Sequence, residues 1–307
     1  MRPRLVFVHG VGGPRDTDAE KAQWLRALAD GARNAGHSRR AAELLDGSVD
    51  VRFAYYGDLF AANASEDADV AELLLDAVDE RLADPRDDRE EQVLRRARAQ
   101  IAPEGQQQGA GNVLRQVIVG ANTLVALRGL RTLGGWASGR VMVRHLGQVT
   151  DYLRRGHVDD AGLSIDRRIR DRVTAQLDPA GPTVVVAHSL GSVVAFETLH
   201  EHAGPVPLLV TVGSPIGMRA VVRARMRPRP LQVPAGVGRW LTFWDRDDFI
   251  VGRPELERCI AANAAAVAPV SRRVDSDGAW VHPAATYLAQ PGVAGPIVEA
   301  LEAVTVV

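Results

Sequence analysis

Short apolar runs recur along the chain at 5–8, 49–56, 183–187, 208–212 and 240–244, with a weaker run at 270–274. Each is too short for a buried helix and most end in Gly, Pro, Asp or His, as expected of strands covered on both faces. Between them the apolar positions switch to helical spacing. Ile165, Ile169, Val173 and Leu177 recur every four residues behind Ser164, a candidate N-cap, and Asp178, Pro179 and Gly181 stop the pattern. A second helix is expected at 190–202, ended by Gly204 and Pro205. Strands alternating with helices predict an α/β fold, a mostly parallel sheet flanked by helices on both faces.

One interval breaks this rhythm. A crossover between neighbouring parallel strands needs one helix and its turns, but 57–182 spans 126 residues. The chain therefore divides into a core, 1–57 and 164–307, and an inserted helical cap at 58–163. The insertion has two chemically different halves. From 58 to 104 there are fourteen acidic and six basic residues, with helical spacing at Val70, Leu73, Leu74, Ala77, Val78 and Leu82. After a Gln-rich loop at 103–112, residues 113–155 carry seven Arg and one Asp among long apolar stretches, with breaks expected at Gly134, Gly135 and Gly139. Met142, Leu146, Val149 and Leu153 keep one helical face.

Composition excludes several classes. A net charge of −1 argues against a nucleic-acid binder. Residues 1–10 hold four consecutive apolar residues, too few for a signal-peptide core, and the longest uncharged stretch, 116–127, falls short of the about 20 residues a membrane span needs. With Cys259 as the only cysteine, these features predict a cytoplasmic protein.

The chemistry concentrates at "TVVVAHSLGS", 183–192, where an apolar strand runs without a spacer into Ala187, His188, Ser189, Leu190 and Gly191. A nucleophilic Ser on a strained strand-to-helix turn needs small residues two before and two after it, here Ala187 and Gly191. The helix beginning at Leu190 directs free N–H groups toward the Ser, so the Leu190 amide is one candidate oxyanion donor. The glycine-rich turn after the first strand, "HGVGG" at 9–13, offers a second donor at Val11, with Gly12 beside it. A dinucleotide fingerprint fails there, because its third glycine would fall at Arg15.

A Ser nucleophile needs a base and an acid to orient it, in the chain order Ser, acid, His. "LTFWDRDDFIVG", 241–252, runs from a strand into Asp245, Asp247 and Asp248. Asp248 is favoured because Phe249, Ile250 and Val251 anchor it, and Asp247 is the alternative acid. His282 lies alone downstream of that loop. His188 is expected to line the pocket and His9 to shape the glycine loop. His200 and His202 are poor joint metal ligands, are attributed to the helix C-terminus, and no metal or organic cofactor is expected.

These segments resemble the α/β-hydrolase superfamily, particularly its esterases and lipases: "HGVGG" at 9–13, "AHSLG" at 187–191, "VGSP" at 212–215, "FWDRDDFIV" at 243–251 and "WVHPAATY" at 280–287. The resemblance covers the core and not the insertion. Ala187 replaces the commoner Gly, a change shared by many bacterial lipases. The resemblance implies a serine esterase acting on a small-molecule or lipid ester through a Ser189–His282–Asp248 triad and an acyl-enzyme. A (phospho)lipase or thioesterase would use the same residues on an anionic or membrane lipid. "RAVVRARMRPRP", 219–230, with five Arg and no acid, and the Arg-rich half of the cap suggest peripheral membrane contact as a further expectation. The non-enzymatic alternative is an inactive hydrolase fold serving as an interaction module.

Overall fold

A computed structural model describes residues 2–12, 16–60, 67–102, 110–125, 139–156, 158–252, 254–276 and 281–305. Its centre is a parallel sheet of six strands: β1 (Arg4–Val8), β2 (Asp50–Ala54), β3 (Thr183–His188), β4 (Leu209–Val212), β5 (Trp240–Asp245) and β6 (Pro269–Val274). Their order is β2-β1-β3-β4-β5-β6. The apolar runs of the sequence all fall on strands. The run at 49–56 is the most shortened, because Tyr56 turns inward and the last ladder bond at this corner is His9 N–H to the Ala54 carbonyl, 3.2 Å.

Residues one apart along each central strand face opposite layers. Leu5, Phe7, Val184, Val186, Val210 and Val212 pack on one face with α1 (Thr17–Asn34), α2 (Ser38–Leu45), α9 (Ala284–Leu288) and α10 (Pro291–Thr305). Val6, Val8, Val185, Ala187 and Leu209 face the other layer, where α7 (Ile165–Thr174) and α8 (Leu190–Leu199) lie. Helix α8 is buried at every position, so it needs no amphipathic pattern.

Between β2 and β3 stand α3 (Asp67–Leu82), α4 (Asp88–Ile101), α5 (Ala110–Val125) and α6 (Gly139–Arg154). Their apolar positions, including Leu73, Leu74, Leu94, Val117, Met142 and Leu146, belong to one hydrophobic cluster continuous with the Val6 and Val185 face of the sheet. The insertion thus shares a core with the sheet. An ion pair joins its two halves, Asp69 to Arg154, and Asp69 also pairs with Arg225 of the core, while Glu90 with Arg81 and Arg86, and Asp79 with Arg98, pair within the acidic half. Residues 110–112 of the expected Gln-rich loop belong to α5, while 103–109, Gly134, Gly135, His157 and Trp280 lie outside the described residues.

β1 leaves the sheet centre outward to β2, and the chain then returns to β3 on the other side of β1. This reversal falls at the carboxyl ends of β1 and β3, the position where open α/β sheets build sites. The loops following these two strands meet there.

Candidate active site at the strand ends

Ser189 follows β3 directly and has φ 52° and ψ −129°, a region L-residues avoid at a cost of about 1–3 kcal/mol. Its surroundings hold it there. The Ser189 N–H donates to the Val212 carbonyl of β4 at 3.1 Å, and its carbonyl accepts from the Ser192 N–H at 2.9 Å and the Ser192 hydroxyl at 2.6 Å. Since the Ser192 proton is committed to a carbonyl, the Ser214 hydroxyl must donate the 2.6 Å bond that joins Ser192 Oγ to Ser214 Oγ. The Ser189 side chain makes no capping bond to α8.

The small neighbours are explained by close approaches. A Cβ at Gly191 would lie 2.2 Å from the His9 carbonyl oxygen, so any side chain would push α8 off the end of β1. A Cβ at Gly10 would sit 2.9 Å from the Ser189 Cβ, which places the glycine turn directly against the Ser. Leu190 is the first residue of α8, so its N–H has no acceptor within the helix. Val11 is half-buried on the adjoining turn.

Asp248 and His282 come together although 34 residues separate them: His282 Nδ1 is 2.9 Å from each Asp248 carboxylate oxygen. Two further donors complete the carboxylate. The Tyr287 hydroxyl donates to Oδ2 at 2.7 Å and the Ile250 N–H to Oδ1 at 3.1 Å. Burial by itself raises the Asp248 pKa, but the charge of His282 and the bonds from His282, Tyr287 and the Ile250 amide outweigh it and hold the carboxyl below its ordinary value. Asp248 is therefore ionised at neutral pH, and Nδ1 of His282 carries the proton that faces it.

This pair lies at the same corner as Ser189. His188, the residue before the Ser, places its Nε2 2.7 Å from the His282 carbonyl oxygen, and the two imidazole rings are 4.8 Å apart. Gly213, next to the Val212 that holds Ser189, is so close that a Cβ there would lie 2.8 Å from Asp248 Oδ2 and 3.3 Å from His282 Nδ1. A carbonyl only accepts, so His188 carries its proton on Nε2. Burial, and then the nearby His282, push its pKa well below the ordinary value, so it stays neutral and braces the His282 backbone.

Other candidates separate from this cluster. Asp247 turns away to an ion pair with Arg86, 2.5 Å, and does not contact His282. Gly12 donates its N–H to Gln148 Oε1 at 2.7 Å and accepts from Gln148 Nε2 at 3.3 Å, so its amide is already committed. His9 is buried against Tyr55, Tyr56 and Phe53 with Glu20 at 3.6 Å, and its carbonyl accepts the Tyr56 hydroxyl. His200 is the C-cap residue of α8 and His202 lies two residues beyond it, at the helix end where the sequence places them, and burial lowers the pKa of both.

Two contributors escape a sequence reading. Tyr287 lies within the quoted "WVHPAATY", and its position five residues after His282 is the only hint of its role. Gln148 sits where α6 is buried all round from Gly147 to Leu153, and a polar residue there must find a partner off the helix. The insertion grips the site at three places. Besides Gln148 on the glycine turn, Arg81 donates to the Arg246 carbonyl at 2.6 Å and Arg86 holds Asp247, both on the loop that carries Asp248. The third grip is Glu197 of α8, which accepts from Tyr152 at 2.7 Å, Arg155 at 2.7 Å and the Arg227 N–H at 2.8 Å. Burial would lower the Arg155 pKa, but the bond and charge of Glu197 override it and raise it.

The arrangement can orient an imidazole, support a positive charge on it, and present unpaired amides at the start of a helix beside a strained hydroxyl-bearing residue. Among the described residues no cluster of His, Cys, Asp and Glu is disposed to hold a metal, and no helix is long and apolar enough to cross a membrane. Comparison with protein-family models, with curated proteins and with solved structures returned no match.

Proposed function

We propose that the chain is a serine hydrolase of the α/β-hydrolase fold that cleaves a carboxylic ester, with the helices of 58–163 as its cap. The observation that carries this reading is the strained Ser189 between β3 and α8, at one corner with the Asp248–His282 pair. Strain at a polar residue, over-determined by its neighbours, is hard to explain as packing and is expected of a nucleophile that must project from a turn.

In this reading His282 Nε2 takes the Ser189 hydroxyl proton as Oγ attacks the ester carbonyl. The carbonyl π electrons move to oxygen, and the amides of Leu190 and Val11 stabilise the oxyanion. Collapse expels the alcohol, which receives the proton from His282, and leaves an acyl-serine. Water, deprotonated by His282, repeats the sequence and releases the acid. Asp248 stays ionised throughout, holds the tautomer and stabilises the imidazolium.

The test is turnover of a short p-nitrophenyl ester by purified wild-type, Ser189→Ala and His282→Ala proteins. Each substitution is expected to lower kcat by several orders of magnitude, roughly 10³–10⁶-fold, with folding retained. Near wild-type turnover in Ser189→Ala excludes the assignment. A parallel panel of thioesters and amides ranks the leaving groups, since all would pass through the same acyl-serine.

A further inference from the structure

We propose that an arginine-lined crevice formed by residues 219–230 and the segment after β5 binds a phosphoryl-bearing anion. The crevice has a volume of about 680 Å³ and is lined by Arg219, Arg223, Arg229 and Arg258, with Glu257 as its one carboxylate. Glu257 Oε2 is occupied by the Ser271 hydroxyl at 2.5 Å. Four arginines thus line one volume against a single acid.

The contrast with the neighbouring arginines gives this its weight. A second crevice of about 620 Å³ shares Ala224 and Arg229 with the first and also contains Arg227, whose side chain meets no carboxylate among the described residues, together with Arg154, Arg155 and Arg225. Those three are matched by carboxylates: Asp69 for Arg154 and Arg225, Glu72 for Arg225, and Asp166 and Glu197 for Arg155. The acidic helices of the insertion therefore neutralise part of the basic segment, and Asp76 of α3 also reaches its start, where it accepts from the Ala220 N–H at 2.9 Å and the Val221 N–H at 3.5 Å. The side chains of Arg219, Arg223 and Arg258 meet no carboxylate among the described residues, and Arg229 uses its guanidinium on the carbonyls of Arg223 and Ala224, at 2.5 and 2.6 Å.

Clustered like charges without a counter-charge repel one another, and that repulsion is relieved when an anion enters. Guanidinium forks match the tetrahedral oxygens of a phosphoryl group with paired N–H bonds, better than an ammonium would. The apolar members of the segment, Val221, Val222 and Met226, are buried. The crevice itself is also lined by Ala224, Pro230 and Ala261, and its larger apolar members Leu231 and Ile260 are buried, so it offers charge and hydrogen bonds with no large exposed apolar side chain to enter a bilayer. The shared chemistry is a phosphoryl group, carried either by a soluble polyphosphorylated molecule or by a lipid headgroup. The inference does not depend on the role of Ser189.

Two arms of one experiment distinguish the sources: calorimetric titration with tripolyphosphate, and co-sedimentation with phosphatidylserine vesicles against pure phosphatidylcholine vesicles. The variants are Arg219→Gln, Arg223→Gln and Arg258→Gln, singly and combined. The control is Arg272→Gln, an exposed residue on β6 whose side chain has no partner among the described residues. Saturable tripolyphosphate binding that weakens roughly ten-fold per guanidinium removed, and is unchanged in the control, assigns a soluble ligand. Binding confined to phosphatidylserine vesicles, with the same dependence on the three arginines, assigns a headgroup. The single variants keep the test open should the triple variant melt early. The proposal is overturned if neither probe binds, if binding survives in the triple variant, or if Arg272→Gln weakens it as much as the others.

Discussion

Replacing Tyr287 with Phe tests the carboxylate's shell most cleanly, because the ring is fully buried and Phe keeps its packing while removing one hydroxyl. That hydroxyl does two things. It donates to Asp248 Oδ2 at 2.7 Å and accepts the Asp245 N–H at 3.1 Å. A hydrogen bond to an ionised acceptor contributes about 1.5–3 kcal/mol, and a buried N–H left without an acceptor costs about 1–3 kcal/mol, so a loss of about 2.5–6 kcal/mol is expected. Denaturant unfolding at neutral pH measures it. The pH dependence separates the two contributions. The Asp248 pKa is depressed in the folded state, so its stabilisation is fully present above the ordinary carboxylate value of about 3.9 and is lost as pH falls through the folded value. Without the tyrosine donor the folded pKa rises toward that ordinary value. The stability gap between wild type and variant should therefore be constant at neutral pH and narrow in acid, leaving the share that belongs to the Asp245 amide. Ester turnover should fall roughly ten-fold as the acid loses one of its positioning bonds. Wild-type stability together with a pH-independent gap of zero would refute the reasoning.

Other substitutions probe the remaining parts. Asp248→Asn should lower kcat roughly 10³–10⁴-fold, because the amide favours the wrong His282 tautomer. Asp247→Asn should leave kcat near wild type, since it alters only a partly exposed pair with Arg86 worth about 0–1 kcal/mol; steady-state kinetics on one ester compares them. Gln148→Leu removes both bonds to Gly12, and is expected to lower kcat roughly ten- to a hundred-fold with KM little changed, because a misplaced Val11 amide weakens oxyanion binding more than substrate binding. Glu197→Ala removes the acceptor of the buried Tyr152 hydroxyl and one of the two carboxylates that Arg155 meets, Asp166 remaining, and should destabilise the protein by about 1–3 kcal/mol in denaturant unfolding.

Much of the core was legible because its signals are local. A fully buried strand must be a short apolar run, so 183–187 and 208–212 declare themselves, and a strand-to-helix turn around Ser189 follows from Ala187 and Gly191 on either side. The acid loop was legible as a loop. Choosing Asp248 over Asp247 required an argument about the anchoring residues 249–251, and in the structure it is the buried Ile250 amide that bonds Asp248, while Asp247 reaches Arg86. Partners contributed by the insertion were not legible, because they depend on long-range packing. Nothing in the sequence around Gln148 links it to Gly12, 136 residues away. The same cause misled the reading of charge. The 219–230 segment reads as uniformly basic, yet Arg225 is matched by Asp69 and Glu72 from α3, and only its neighbours retain an unmatched charge.

The central claim is that Ser189 is an activated nucleophile, and covalent capture tests it without knowledge of the natural substrate. Purified protein treated with a fluorophosphonate and measured as intact mass should gain one phosphonyl group, mapped by peptide sequencing to Ser189. The adduct should be absent from Ser189→Ala and slow to form in His282→Ala. An unmodified wild-type mass, or a label that maps elsewhere and persists in Ser189→Ala, would contradict the account.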